Sequence, residues 1–171
     1  MKDKQIAKLL QAEKKRQQGT VNLIASENYV SGDVLAALGS ETTNKYSEGY
    51  PGKRYYAGNV VVDQIEILAQ DRALKLFNLN EKKWGVNVQP LSGSPANIAV
   101  FQALIQPGVK IMGMDLSHGG HLTHGHAVSF SGKFWNQVAY TVDQKTEKLD
   151  YDALLKIAKR EKPALIVAGF T

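Results

Sequence analysis

Apolar and polar positions follow two different periods along this chain, and the stretches with neither period are as informative as those with one. Residues 3–18 are mostly polar, with Ile6, Leu9 and Leu10 as a narrow stripe at helical spacing before Gly19 ends the run. So thin a stripe predicts a helix that lies across another surface, such as a second subunit. Residues 21–25 are apolar and give way abruptly to Ser26-Glu27-Asn28; Ser31 or Asp33 then caps a short helix over 34–38. Residues 39–58 show no period at all. Asn59 caps a long helix over 60–77, in which Val62, Ile65, Ala69, Ala73 and Leu76 form the predicted core stripe and Asn78 is the stop.

Beyond Asn78, short apolar runs alternate with helical ones. Residues 84–90 alternate as a partly buried strand does, and residues 95–105 return to helical spacing, with Ser94 as N-cap and Pro95 at the first helical position. Strands are predicted at 110–114, 138–142 and 164–168, the first and last of them buried, and Asp150 opens a helix reaching Lys162 with Tyr151, Leu154 and Ala158 inward. Strand and helix alternating from residue 60 onward predict an α/β fold, a mostly parallel sheet flanked by helices. The expected organisation is residues 1–58 as an N-terminal helix with an ordered arm, and 59–171 as the first part of an α/β domain. The last residues close a strand, and a parallel sheet needs further crossovers to cover its faces. The chain is therefore expected to be a piece of a longer protein.

Composition narrows the partners. With 43% apolar and 22% charged residues among 171, the chain is that of a soluble globular protein, expected in the cytoplasm, with no apolar run long enough for a membrane. The absence of cysteine removes disulfides and thiolate metal sites. The net charge of +5 fits either a nucleic-acid surface or a preference for small anions. Its clusters, Lys14-Lys15-Arg16 and Lys82-Lys83, read as solvated surface, and the aromatics gather with Gly and Pro rather than along a basic strand face.

Four segments carry candidate chemistry. Leu91-Ser92-Gly93-Ser94-Pro95-Ala96-Asn97 puts hydroxyls and free N–H groups at the positive end of a helix, which makes either an ordinary capped turn or an anion seat. Residues 39–58 hold Tyr46, Tyr50, Tyr55 and Tyr56 with Glu48, Lys53 and Arg54, too much aromatic area for disorder, and read as an ordered binding loop. There Glu48 is either an acid–base group raised in pKa by aromatic surroundings or a surface carboxylate paired with Lys53 or Arg54. Ser26 and Glu27, after the apolar residues 23–25, read either as simple helix caps or as functional residues. Finally, Asp115 to His126 is polar and directly follows a strand, where α/β folds hold ligands. Its histidines His118, His121, His124 and His126 are interrupted by Gly119, Gly120 and Gly125, so no metal is expected and a structural or ring-stacking role suits them better.

These segments, in this order, resemble a known family. Asn22-Leu23-Ile24-Ala25-Ser26-Glu27-Asn28, the segment Asn44-Lys45-Tyr46-Ser47-Glu48-Gly49-Tyr50-Pro51-Gly52-Lys53-Arg54-Tyr55-Tyr56, and Ser92-Gly93-Ser94-Pro95-Ala96-Asn97 are three of its motifs. With Gly119-Gly120-His121-Leu122-Thr123-His124-Gly125 and Phe130-Ser131-Gly132 they closely resemble serine hydroxymethyltransferase over essentially the whole chain. The resemblance implies a pyridoxal-phosphate enzyme of the aspartate-aminotransferase type (fold type I). It also implies reversible transfer of the serine hydroxymethyl group to tetrahydrofolate, which leaves glycine. Ser92, Gly93 and Ser94 would hold the cofactor phosphate, His121 would stack on the pyridine ring, and Thr171 would sit near the phenolic oxygen. Ser26 would contact the amino acid. Leu116, Gly120, His121 and Leu122 would border the folate. The tyrosine loop would enter a neighbouring subunit's site in a homodimer, or a dimer of dimers. There Tyr46 would meet the cofactor phosphate, Glu48 would move a proton, and Tyr55 and Tyr56 would line the substrate. Glu48, His121 and Tyr56 would be the catalytic residues.

Departures from the family pattern matter. Pro95 stands where many bacterial relatives carry glutamine, and His126-Ala127-Val128-Ser129 replaces a more familiar Ser-Pro-Val-Asn. The family's cofactor-anchoring lysine, substrate-carboxylate arginine and pyridine-facing aspartate have no match. The resemblance thus implies an N-terminal portion, inactive alone. Two other readings compete with it: a stand-alone anion- or nucleic-acid-binding module, and a fold type I aldolase acting on 3-hydroxy amino acids. Salt dependence of nucleic-acid binding and dependence on tetrahydrofolate separate the three.

Overall fold

The computed structural model describes residues 1–170; the expected cofactor contact at Thr171 lies outside the described residues. The chain divides into two compact units, Met1–Ala36 and Ala37–Thr171. The tyrosine segment therefore belongs with the α/β part.

In the first unit, helix α1 (Lys4–Gln18) begins because Asp3 accepts from the N–H groups of Gln5 and Ile6 at 2.9 and 3.1 Å. It ends at Gly19, as its pattern predicts, and buries none of its residues. Ser31 is the cap of α2 (Gly32–Leu38), its hydroxyl accepting from the N–H of Val34 at 3.3 Å. Ser26 caps no helix. It stands exposed on a turn closed by Glu27 N–H to the Ile24 carbonyl at 3.1 Å, while the Glu27 carboxylate accepts from the Asn22 amide.

The second unit opens with the tyrosine segment, which the structure folds into a short hairpin, β1 (Gly49–Tyr50) against β2 (Lys53–Arg54). Arg54 is the reason it holds. Its guanidinium side chain is 4% exposed and donates to Asp63 at 2.8 Å and to Glu66 at 2.6 Å on helix α3 (Val60–Leu76). The same fork donates to the carbonyls of Ser47 and Gly49 at 2.6 and 2.7 Å, and Asp63 also accepts from the Gly52 N–H at 2.9 Å. A planar guanidinium with five donors suits this multidentate role, which an ammonium could not fill.

Helix α3 departs from expectation in its packing. Leu76 is 80% exposed and Ile65 48%, and Leu74 is the residue it buries. Val62, Ile65 and Ala69 line an open groove of about 530 Å³ together with Tyr46 and Glu48, so the periodic stripe faces that groove rather than the core. Asn59 stands at its N-cap position but makes no cap bond; its amide donates instead to the Tyr56 carbonyl at 2.8 Å. Asn78 stops the helix with φ +53°, as predicted.

Residues 84–90 form no strand. They are tied by a side chain instead: the Gln89 amide donates to the Gly49 carbonyl at 2.8 Å and to Glu66 at 2.9 Å, and among the described residues no neighbouring strand offers a ladder. Helix α4 (Gly93–Leu104) starts two residues earlier than predicted, with Ser92 as the extended N-cap residue. Pro95 is thus the third helical residue, still within the first turn, where its missing N–H removes no helical bond.

The core is built on β3 (Lys110–Met114), the centre of a parallel sheet between β4 (Asn136–Tyr140) and β5 (Leu165–Val167). On one face Ile111 packs with Phe101 and Trp135, the two rings meeting edge-on at 5.5 Å. On the other, Met112, Met114 and Tyr140 pack against Leu154, Ile157 and Ala158 of helix α6 (Tyr151–Glu161). A short helix α5 (Phe130–Phe134) leads into β4. Two sequence expectations fail here. Tyr151 is 76% exposed, because α6 turns Leu154, Ile157 and Ala158 inward, and β5 is an edge strand whose Ile166 is 54% exposed.

Between β3 and α5 the polar segment folds into two 3₁₀ turns, Leu116–His118 and Leu122–His124, laid against the end of the sheet. The approach is close. A Cβ on Gly113 would stand 2.7 Å from the His124 carbonyl oxygen, and one on Gly120 would stand 2.0 Å from that of Met114. His124 is buried beneath the turn, and burial, with His121 adding a smaller push, holds its imidazole below the ordinary histidine pKa.

Two outcomes follow from this packing. Gly113→Ala is expected to lower unfolding free energy by about 1–3 kcal/mol in urea titrations, because the atom it meets is backbone and cannot rotate away. Stability is also expected to fall in two stages on acidification. His124, depressed in the folded state, contributes fully above its unfolded value of 6.5, and that contribution is lost as pH falls through the lower folded value. Asp63, held low by the Gly52 N–H and then by Arg54, contributes above 3.8 and is lost below it. A thermal-denaturation series against pH reads both, and His124→Asn should remove the upper stage alone.

Candidate active site

The N-terminus of α4 gathers donors that have no helical partner. Ser92 is extended and its side chain makes no cap bond, so its hydroxyl is free, and Ser94 one step into the helix is half-buried. The first helical bond is Ala96 N–H to the Ser92 carbonyl at 3.2 Å. The N–H groups of Gly93 and Ser94 therefore have no helical partner, and no acidic residue stands in the first turn to compete with a bound anion. A Cβ on Gly93 would meet nothing within 4 Å, which leaves the space above the turn open. Pro95 provides no donor. The seat therefore rests on two backbone N–H groups and two hydroxyls, a donor set that suits a phosphate monoester.

Asn97, one helical turn further, ties this helix to the histidine turn. Its amide donates to Thr123 Oγ1 at 2.9 Å. Thr123 Oγ1 lies 2.8 Å from His121 Nδ1, and the Thr123 N–H donates to the same nitrogen at 3.1 Å. The His121 N–H in turn donates to His124 Nδ1 at 3.2 Å, which closes a capping box around the turn. The His121 and His124 rings are 6.0 Å apart and inclined at 60°. His121 is half-buried, with its imidazole held along one edge and so able to offer a face to a flat ligand.

Around this centre Leu116 and Leu122 are 40% and 42% exposed, and Gly120 between them is buried, its N–H bonded to the Asp115 carbonyl at 2.9 Å. Asp115 caps the first turn by accepting from Ser117, hydroxyl and N–H, and these bonds hold its carboxyl below the usual range. It is thereby committed to the turn. Among the described residues no group of three or more His, Asp or Glu side chains is close enough to hold a metal ion.

The tyrosine segment does not join this centre within the chain. Tyr46 is 72% exposed and Tyr55 80%, and Tyr46 touches Tyr56 at a ring separation of 5.6 Å. Among the described residues no hydrogen bond or ring contact links Tyr46, Glu48, Tyr55 or Tyr56 to Ser92, Ser94 or His121. Glu48 is exposed beside the groove and pairs with neither Lys53 nor Arg54. Its carboxylate stands in solvent rather than enclosed by aromatic rings. Ser26 belongs to the first unit. Sequence reasoning passed over Asn97 and Thr123 as site residues, although both stand inside quoted motifs; a hydrogen bond between residues 26 apart in the chain leaves no periodic trace.

The family profile for serine hydroxymethyltransferase matches residues 1–171. The chain is 55% identical over 171 residues to a serine hydroxymethyltransferase of Phytoplasma australiense, covering 100% of this chain and 40% of that protein. It is 52% identical over 171 residues to a Mesomycoplasma hyopneumoniae protein named "Probable serine hydroxymethyltransferase", with 100% and 40% covered. The chain thus spans 40% of the length of these curated relatives. A match over every residue at more than half identity, on top of the seat, the histidine turn and the tyrosine arm, places the chain in the serine hydroxymethyltransferase family.

Proposed function

We propose that this chain supplies the phosphate seat, the ring-stacking histidine and the inter-subunit arm of a pyridoxal-phosphate-dependent enzyme. That enzyme moves the hydroxymethyl group of serine reversibly to tetrahydrofolate, leaving glycine and methylenetetrahydrofolate. The observation that carries the reading is the bond from Asn97 to Thr123, which joins an anion-ready helix terminus to the turn bearing His121. Ser92, Gly93 and Ser94 hold the cofactor phosphate with hydroxyls and N–H groups, and the helix dipole adds to their pull. When bound, the cofactor supplies an electron sink for the bond broken at the amino acid's α-carbon. His121 covers one face of the pyridine ring and excludes water there.

Ser26 contacts the amino acid, and Leu116, Gly120, His121 and Leu122 border the folate. The exposed rings of Tyr46, Tyr55 and Tyr56 are the surface by which one protomer completes its partner's site in a homodimer or a dimer of dimers. Glu48 rides on the same arm, where it can take and return the proton of the serine hydroxyl once a partner encloses it. Tyr46 reaches the phosphate of the partner's cofactor. The positive net charge favours both anionic ligands.

Two measurements on the full-length protein test this. Replacing Ser92 and Ser94 by alanine removes charge-assisted bonds and is expected to weaken pyridoxal-phosphate binding roughly ten- to a hundredfold in absorbance titrations; unchanged affinity would move the phosphate elsewhere. Glu48→Gln is expected to lower kcat for serine cleavage by about 10²- to 10⁴-fold while leaving cofactor affinity alone. In the parent enzyme that cleavage should depend on tetrahydrofolate, and serine turnover indifferent to folate would favour an aldolase.

A further inference from the structure

The contacts of His121 determine more than its place. A backbone N–H can only donate, and that of Thr123 points at His121 Nδ1 at 3.1 Å. Nδ1 is therefore the acceptor nitrogen, and in the neutral ring Nε2 bears the proton. The Thr123 hydroxyl also meets Nδ1, at 2.8 Å, and has one proton to give. Whether it gives that proton to the histidine depends on its other neighbour. Asn97 presents its NH₂ to Thr123 Oγ1 at 2.9 Å, occupying an oxygen lone pair and leaving the O–H for Nδ1. The reverse amide orientation would draw the hydroxyl proton towards Asn97 and set an oxygen lone pair against that of Nδ1, so the donor orientation is the consistent one.

The three residues form a directed relay, Asn97 to Thr123 to His121, with every proton assigned. Thr123 is 3% exposed, so water does not replace either bond. Asn97 also lies on the helix whose first turn carries Ser92, Gly93 and Ser94, three residues beyond Ser94. The anion seat and the imidazole orientation are thereby set by one rigid element.

We propose that Asn97 and Thr123 are positioning residues that lock His121 as the Nε2–H tautomer and fix its ring relative to the phosphate-seat helix. The functional part rests on the reading above, in which Ser92, Gly93 and Ser94 hold the phosphate and His121 stacks on the cofactor. Neither residue touches the reacting atoms. Their effect is to make the stacking ring a single species, tied at Nδ1 and presenting a donor at Nε2, before any ligand arrives.

The test is a long-range ¹H–¹⁵N correlation spectrum of the full-length protein labelled in histidine, recorded without cofactor at a pH where histidine is neutral, with His121→Gln assigning the resonance. The wild type should show His121 as Nε2–H only. Thr123→Ser keeps the hydroxyl and should preserve that pattern. Thr123→Val, which loses it, and Asn97→Asp, which reverses the hydroxyl, keep the backbone N–H on Nδ1, so Nε2 should keep its proton while the Nδ1 resonance moves towards that of a more weakly hydrogen-bonded nitrogen. With pyridoxal phosphate bound, the same two variants should lose visible circular dichroism per bound cofactor, and Thr123→Ser should retain it. An Nδ1–H wild type overturns the relay regardless of whether any variant folds. So does an unmoved His121 Nδ1 resonance in both Asn97→Asp and Thr123→Val. If the wild type shows the relay but binds no cofactor, the functional reading fails and the tautomer lock stands.

Discussion

The constraint on which this structure depends is the absence of a side chain at Gly113. The central strand can carry the histidine turn directly on its backbone because nothing there keeps the His124 carbonyl away. Gly120 repeats the device where the chain leaves the strand, against the Met114 carbonyl. Between these two contacts the turn is pressed so close to the sheet that Thr123 and His124 are buried, although both are polar. Burial of that kind demands partners, and the turn finds them within itself and on α4. The same pressure that packs the turn therefore creates the hydrogen-bonded set that orients His121.

The two regions that carry chemistry are held by different physics. The histidine turn is fixed by close packing and neutral hydrogen bonds at the carboxyl end of a parallel strand, where α/β folds gather ligands. The tyrosine arm is fixed by charge: Arg54 binds two carboxylates and two carbonyls, and the arm's aromatic rings are left outward. The arm is held by its root with its rings in solvent. Membership of the serine hydroxymethyltransferase family gives that arrangement a purpose in the proposed shared site.

Local chemistry was legible in the sequence wherever one turn of chain decided it. Gly19 and Asn78 end their helices as read, the strand at 110–114 is the buried one, and the serine–glycine turn opens a helix. Boundaries slipped where two caps competed: Ser92 rather than Ser94 leads α4, because the extended conformation falls at Ser92 and Pro95 fits anywhere in the first turn. Residues 84–90 alternate like a strand yet pair with no strand, since alternation records which side is apolar and not whether a neighbour exists. The regular stripe of α3 was real as a pattern, but it faces a groove beside Tyr46 and Glu48.

By itself, then, the sequence determined the α/β class and most of the helices and strands, because these are written in spacing and residue type, while its motifs carried the resemblance to the family. Tertiary structure alone decided which of them meet. That Arg54 grips Asp63 and Glu66 rather than Glu48, and that Asn97 reaches Thr123 and through it His121, are facts of approach between segments distant in the chain. The first is set by charge and the second by how closely backbones pack at Gly113 and Gly120, and hydrophobic periodicity, which records only which faces are apolar, carries no signal of either.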